Sequence, residues 1–481
     1  MHLWHSLEFG AKAYALKQVK SKPRAEVEAM GRERLAQLLV HARSNSQFWH
    51  HKLDGVAEER FGLCNLPTSN KCELMENFDA SLTVDDVCRA EVEGYLADES
   101  NLGKLFHGKY AVSHTSGSQG QPLLLVQPQE TIELLFALQA SRGHANSLSV
   151  GEVVKHVFSP VRLAVVLLQP GFYPSSCAFE YMPEGAKGLI DVLRLSIEDD
   201  DLLERLAEFH PTHLTAYASV LHEIARAVEE GKLTLKPSLE EVVNISERLM
   251  PQARAHYTEI FGAPIFDDYG MGECLFLTNG CSTSGGMHVN ADWALLEVVD
   301  EHNQPVPDGT AGAKVLLTNL ANFVQPIIRY EVGDIVTMAT EPCDCGNNLP
   351  LIARIEGRDS DVFYIETENG TRALQPTIFE LAVGRVLEAR EYQLVQEDST
   401  HFRARLEPLP GKKVDAVRAK QALDEELNKY DLRGKLHVDV EIVDRLAPNN
   451  DHKFKRIVCK VKKPAQAANV KKVGQPNDYA A

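Results

Sequence analysis

Between residues 150 and 270 the chain alternates apolar runs with amphipathic stretches, and no other feature restricts its fold as much. Residues 161–168, 214–217 and 241–245 read as strands, and 202–209, 220–229 and 251–261 read as helices. Strands separated by helices need crossover connections, so this rhythm predicts a mostly parallel sheet with helices on its faces. Upstream, Val27, Leu35, Leu38, Leu39 and Ala42 recur at helical spacing within residues 24–54. Residues 111–112 and 123–126 flank a glycine-rich loop as short strands, which predicts a strand–loop–strand hairpin. Residues 286–340 turn to strand character (288–289, 295–299, 313–318, 335–338) around a Pro-Asp-Gly turn. After Arg358 come a hairpin (362–366, 371–374), a helix (377–389), strands (392–396, 402–406), a helix (414–430) and a strand (436–442). The expected fold is therefore α/β: a large N-terminal domain, 1–357, with mixed sheets and helices, and a small mobile α+β domain, 358–481.

A chain of 481 residues can bury a large core and should divide into at least two domains. Its net charge of −18 argues against a general nucleic-acid binder, which carries a basic surface. The C-terminus is the local exception, with Lys453, Lys455, Arg456, Lys460, Lys462, Lys463, Lys471 and Lys472. Beyond about Pro464 such composition predicts a solvated, partly frayed end. Charges and histidines interrupt the first residues, so no signal peptide is expected there. The longest apolar run, 163–168, falls far short of the ~20 residues that span a bilayer. Nine cysteines, odd in number and scattered, do not suggest a disulfide framework. The expectation is a cytoplasmic protein with no membrane or nucleic-acid partner, its thiols reduced or holding metal.

Five short segments in fixed order carry the chemistry. Residues 114–122 (His-Thr-Ser-Gly-Ser-Gln-Gly-Gln-Pro) offer hydroxyls at Thr115, Ser116 and Ser118. Gly117 and Gly120 let backbone N–H groups turn inward to phosphate oxygens. The segment fails the Walker pattern, since no Lys-Ser/Thr pair follows, and glycine-rich loops are also common punctuation. Residues 267–273 (Asp-Asp-Tyr-Gly-Met-Gly-Glu) end on Glu273, and one carboxylate plus substrate phosphates suffices for Mg²⁺. Tyr269 could stack on a base or sit in the core. Residues 329–334 (Arg-Tyr-Glu-Val-Gly-Asp) supply Asp334, either a turn aspartate or an acceptor for two ribose hydroxyls. Residues 355–361 (Ile-Glu-Gly-Arg-Asp-Ser-Asp) and 452–456 (His-Lys-Phe-Lys-Arg) add a hinge and a cation.

In order and spacing these segments resemble the adenylate-forming superfamily of acyl-CoA synthetases, in particular its phenylacetate–CoA ligase-like branch. Residues 115–122 are similar to that family's Ser-Ser-Gly-Thr-Thr-Gly-Lys-Pro, and 269–273 to its Tyr-Gly-Leu-Ser-Glu. Residues 330–334 resemble Tyr-Arg-Thr-Gly-Asp, 357–361 Gly-Arg-Ser-Asp-Asp, and 452–456 Gly-Lys-Phe-Lys-Arg. Residues 35–41 and 66–71 also look like the N-terminus of that branch, so the resemblance covers nearly the whole chain. It implies that Thr115, Ser116, Gly117, Ser118 and Gly120 hold the ATP β,γ-phosphates, and that Glu273 binds Mg²⁺. It implies further that Tyr269 lies on the adenine, that Asp334 and Arg358 hold the ribose, and that Lys453 bridges α-phosphate and substrate carboxylate. The implied activity is ATP-dependent formation of an acyl- or aryl-AMP, then transfer to a thiol, with CoA as co-substrate.

The departures from the family pattern bear on the second step. Gln121 stands where the family has a lysine, Gly272 where it has a serine, and Ser360 where it has the hinge aspartate. Residues 364–374 lack the Arg-Gly stretch that helps shape the thioesterification state in CoA ligases. An amine or carrier-protein acceptor, nucleotidyl transfer to a coenzyme, and a non-catalytic zinc-stabilised scaffold are the alternatives. A homodimer is among the expected assemblies.

Cys281, His288, Cys343 and Cys345 form a second constellation. Three thiolates and an imidazole suit tetrahedral Zn²⁺ with no open position, a structural rather than catalytic metal. The branch often carries a similar set. For the acyl pocket, Phe158, Ser159, Tyr217 and residues 246–248 are candidates, as is His114 beside the loop.

Overall fold

The computed structural model describes the chain except residue 1 and residues 57–62, 116–120, 144–150, 152–154, 157, 168–170, 359–361, 368–369, 375, 431, 433, 447–453, 462–470 and 474–481. Its centre is a five-stranded, all-parallel sheet in the order Ile190–Ser196, Val161–Leu167, His213–Tyr217, Glu241–Ile245, Ile265–Asp268. Ala164, Val166, Leu214, Ala216 and Val242 are buried along the middle strands, as apolar strands covered on both faces require. The helices Leu202–Phe209, Ala218–Glu229 and Pro251–Phe261 connect them, as the alternation predicts.

The two outer strands were not part of that expectation. Ile190–Ser196 carries Asp191 and Arg194 among its apolar residues, which suits an edge and breaks a buried-strand pattern. Ile265–Asp268 is only four residues long and ends in two aspartates.

Three further sheets complete the larger part. Tyr110–His114 and Leu124–Pro128 pair antiparallel, with His114 opposite Leu124, so the glycine-rich loop is the turn of a hairpin. Ala294–Val299, Lys314–Asn319 and Tyr330–Val332 form one antiparallel sheet; Asp334–Met338, Leu351–Arg358, Met287–Val289 and Thr278–Gly280 form the next. Two N-terminal helices pack beside them. His2–Val19 lies outside the sequence expectation, whereas Arg24–Asn45 buries Val27, Leu35, Leu38, Leu39 and Ala42 as the spacing requires.

Beyond Arg358 the chain forms an α+β arrangement. Its main sheet has the order His437–Ile442, His401–Pro408, Ala389–Gln396, Ile457–Cys459, with the helix Ala416–Lys429 beside it. Phe363, Phe379 and Phe402 meet at its centre, ring centroids 5.1–5.7 Å apart. Two expectations need correction here. The helix placed at 377–389 ends at Val383, followed by Gly384, the poorest helix former after proline, and Ala389 opens a strand. The end expected to fray contains the strand Lys471–Val473, paired parallel to residues 372–374: a backbone edge left open by the hairpin at 363–374 recruits it.

Candidate active site

Four of the five segments converge on one place. The strand Ile265–Asp268 delivers the chain into a tight turn in which Met271 and Cys274 exchange backbone hydrogen bonds. Tyr269 is fixed at its backbone by Thr278, whose hydroxyl bonds both its N–H and its carbonyl at 2.8 Å. The Tyr269 hydroxyl donates to Asp334 Oδ2 at 2.6 Å, and Arg358 Nε donates to Asp334 Oδ1 at 3.0 Å. This pairing follows from register: Asp334 lies directly opposite Arg358 in the antiparallel ladder. Asp334 is buried while the Arg358 side chain is 56% exposed, so the guanidinium can still reach a ligand. A carboxylate oxygen can accept two hydrogen bonds, so Asp334 suits a ligand with paired hydroxyls.

Glu273 sits behind this pair, its side chain buried. Burial pushes its carboxyl above the ordinary carboxylate range, partly offset by the Tyr330 hydroxyl and by Lys71. The neighbouring charge of Asp334 pushes the same way. A buried anion facing a second anion is a natural seat for a cation. Tyr330 belongs to the third segment, and residues 66–71 are laced to it: Ser69 N donates to Arg329 O at 3.0 Å, and Glu331 N donates to Ser69 O at 2.8 Å. Lys71, which the sequence reading gave no role, thus lies within electrostatic reach of Glu273.

The glycine-rich loop starts against the same turn. A Cβ placed on Gly272 would lie 3.1 Å from the Thr115 methyl, 3.1 Å from Leu125 Cδ1 and 3.0 Å from Pro174 Cγ. Thr115 closes the hairpin, its N–H donating to Leu123 O and its hydroxyl accepting from Leu123 N, both at 2.9 Å. Ser116, Gly117, Ser118 and Gly120 lie outside the described residues, as do Ser360 and Lys453. Arg456, three residues beyond Lys453, is half-buried in a bidentate pair with Glu391. The charge of Glu247, at the carboxyl end of the strand Glu241–Ile245, also acts on it. The last segment therefore meets the larger part at the carboxyl edge of the parallel sheet, where open α/β sheets bind ligands.

Among the pocket candidates the structure separates two groups. Phe158 and Ser159 are exposed, Phe158 at 85%. Tyr217 is buried, its hydroxyl 3.3 Å from Ser175 Oγ, and the His114 ring meets Tyr173 edge-on at 5.1 Å. Glu247 is half-buried; one carboxylate oxygen accepts from Ser219 N at 2.8 Å, which caps the helix Ala218–Glu229.

The cysteine–histidine set also comes together. The ligand atoms of Cys281, His288, Cys343 and Cys345 all lie within 4.8 Å of one another. Cys281 Sγ is 3.4 Å from Cys343 Sγ, and His288 Nε2 is 3.2 Å from Cys345 Sγ. Tetrahedral zinc would ask for about 3.6–3.8 Å, a small expansion. Three features mark the site as one for thiolates. The N–H groups of Thr283 and Ser284 point at Cys281 Sγ, that of Asn347 points at Cys345 Sγ, and Gly346 takes φ +78 in the turn between. Burial opposes ionisation of Cys281, yet Ser284 Oγ, the N–H groups of Ser284 and Thr283, and Cys343 hold its thiol down at about 6, while burial pushes the Cys345 thiol up. Nδ1 of His288 donates to Leu349 O at 3.0 Å, leaving Nε2 to face the sulfurs. A second group, His401, His437 and Asp439, lies at the surface, with His401 Nε2 2.8 Å and His437 Nε2 3.2 Å from the Asp439 carboxylate.

No family model matches the chain. It is 24% identical over 371 residues to a phenylacetate-coenzyme A ligase of Thermus thermophilus, covering 73% of this chain and 75% of that one. It is also 25% identical over 200 residues to Protein CapK of Staphylococcus aureus, covering 41% and 42%. Among solved structures, 2-hydroxyisobutyryl-CoA ligase in its postadenylation state superposes with a TM-score of 0.68 at 19% identity, over 92% of this chain and 91% of that one. The same ligase in its thioesterification state gives 0.57 at 20% identity, over 95% and 91%. The chain thus shares the fold of 2-hydroxyisobutyryl-CoA ligase, and its motifs stand in the order that resembles the adenylate-forming superfamily. Its sequence is similar to that of the phenylacetate-coenzyme A ligase from Thermus over about three quarters of both chains.

Proposed function

We propose that this chain activates a carboxylic acid with ATP as an acyl-AMP, releasing pyrophosphate, and then transfers the acyl group to CoA. In the first step a carboxylate oxygen of the acid attacks the α-phosphorus. A new P–O bond forms, the bond to the β-phosphate oxygen breaks, and pyrophosphate leaves with the electron pair. In the second step the CoA sulfur attacks the acyl carbon, AMP departs, and the thiol proton goes to solvent. The protein forms no covalent bond, so positioning and cations carry the catalysis.

The observation that carries this reading is the meeting of Thr115, Glu273, Tyr269, Asp334 and Arg358 from four distant segments. Asp334, braced by Tyr269 and Arg358, would accept the ribose hydroxyls, with the Tyr269 ring against adenine. Thr115 and the loop from Ser116 through Gly117 and Ser118 to Gly120 would hold the β,γ-phosphates. Glu273 would hold the Mg²⁺ that arrives with ATP and neutralises the departing pyrophosphate. Lys453 would bridge α-phosphate and carboxylate, countering charge that grows in the transition state. Zinc on Cys281, His288, Cys343 and Cys345 would brace the sheet that carries the Leu351–Arg358 strand. The domain boundary falls at 357/358, with residues 358–481 turning about Arg358–Ser360 between the half-reactions.

Relatives that act as CoA ligases support CoA as acceptor, whereas residues 364–374 favour an amine or carrier protein. Pyrophosphate release with a panel of acids, with and without CoA, decides between them. No described helix is long and apolar enough to cross a membrane; a cytoplasmic location and a homodimer complete the reading, tested by fractionation and light scattering. Lys453→Ala should abolish acid-dependent ATP–pyrophosphate exchange and spare thiolysis of supplied acyl-AMP. Retained exchange would remove Lys453 from the first step.

A further inference from the structure

The helix Ala218–Glu229 has two buried faces of opposite character. Leu221, Ile224 and Ala225 belong to the core shared with the parallel sheet. His222, Arg226 and Glu229, spaced i, i+4, i+7 along another face, all pair with residues beyond Arg358. Arg226 donates to Glu407 at 2.8 Å, Arg390 donates to Glu229 at 2.9 Å, and His222 Nε2 donates to Glu391 Oε2 at 2.7 Å. Arg445 also reaches Glu223 at 2.8 Å. A polar helix face covered by charged partners is a docking rail for the α+β unit.

Glu391 is the point where this rail meets the segment bearing Lys453. Its carboxylate is 2% exposed and fully engaged. Oε2 accepts from His222 and from Arg456; Oε1 accepts from Arg456 Nε at 2.7 Å and from Tyr392 N at 2.9 Å. His222 is itself oriented from behind, Nδ1 lying 2.5 Å from the Tyr257 hydroxyl. The backbone beside Arg456 is held too: Gln393 Nε2 donates to Lys455 O at 2.9 Å, and Leu394 N donates to Arg456 O at 2.7 Å. Only Phe454 and Lys455 lie between Arg456 and Lys453, so the three steps span at most about 11 Å of chain.

We propose that Glu391 is a positioning residue for the adenylation half-reaction: its carboxylate joins His222 of the larger domain to Arg456, and so fixes where the Lys453 segment begins. This rests on the adenylation reading above. Acyl transfer after a domain swing requires the His222–Glu391 link to open, while Arg456–Glu391 travels as one unit. A single carboxylate thus serves the first step and is dispensable for the second.

The test uses the full-length protein and reads both half-reactions separately, with small-angle scattering as a readout independent of activity. Glu391→Gln and His222→Leu should lower ATP–pyrophosphate exchange by about tenfold or more through kcat, with KM for ATP little changed. Thiolysis of supplied acyl-AMP should hold or rise, and the scattering radius should grow. His222→Gln, which keeps a donor for Glu391, should recover most of the exchange. Equal losses in both half-reactions with an unchanged radius would reduce Glu391 to a folding role and overturn the proposal, as would wild-type exchange in both variants. A wild-type enzyme that exchanges pyrophosphate with no acid refutes the functional reading instead, and the scattering change in the variants would still report docking.

Discussion

Gly272 stands where the family pattern carries a serine, and the structure gives a steric reason tied to a second departure, Thr115 in place of a serine. A Cβ at 272 would press on the Thr115 methyl at 3.1 Å, on Leu125 at 3.1 Å and on Pro174 at 3.0 Å. Overpacking of this kind costs about 1–3 kcal/mol. Thr115→Ser removes one of the three obstacles while keeping the hydroxyl that accepts from Leu123 N. Alone it should cost up to about 0.8 kcal/mol, the worth of one buried methyl group. The two changes touch the same space, so they should not add. Gly272→Ala alone should destabilise clearly, and Gly272→Ala with Thr115→Ser should regain about 0.5–1 kcal/mol. Gly270→Ala is the control: its Cβ would meet Leu275 O, a backbone atom 2.9 Å away that Thr115→Ser cannot move. Urea and thermal midpoints of the four variants give the order directly, without assuming two-state unfolding. A double variant as unstable as the sum of its parts would refute the contact between loop and turn, and with it the placement of Thr115 beside Glu273.

Glu273 should show opposite effects on stability and activity. Its folded pKa is raised by burial, so ionising it costs the folded state more than the unfolded one. That cost is absent below the ordinary value of 4.5 and develops as pH rises through the folded pKa. Glu273→Gln should therefore stabilise the nucleotide-free protein by on the order of 1 kcal/mol, with the gap widening from acid to neutral pH. Its Mg²⁺-ATP-dependent gain in melting temperature should nearly vanish; a wild-type gain would take Glu273 out of the metal site. For the cysteine–histidine set, metal analysis should find one zinc per chain, lost in Cys345→Ser. Chelation should cost on the order of 3 kcal/mol or more, and a metal-free protein of unchanged stability would leave four ordinary thiol and imidazole side chains.

What the sequence revealed and what it hid follow from the range of the forces involved. The strands of the parallel sheet declared themselves because burial on both faces demands unbroken apolar runs. The edge strand Ile190–Ser196 stayed hidden because Asp191 and Arg194 interrupt its run. The pairing of Asp334 with Arg358 was legible as two separate motifs; that they face each other depends on ladder register across 24 positions. Lys71 and Tyr330 beside Glu273 left no local signature, since their role comes from a parallel contact between Ser69 and Tyr330.

The helix Ala218–Glu229 shows the same limit in a form that bears on function. Read alone, His222, Arg226 and Glu229 are the solvent side of an amphipathic helix, and nothing in their spacing distinguishes a solvated face from a docked one. Only tertiary packing shows that their partners are Glu391, Glu407 and Arg390, from the domain expected to move. Under the proposed alternation, an apolar interface along this face would hold the two domains together more firmly. Charged partners can be rehydrated when the domains part, so the cost of opening is offset by water. A chain that must dock one domain accurately and then release it is better served by such a face than by a stripe of leucines.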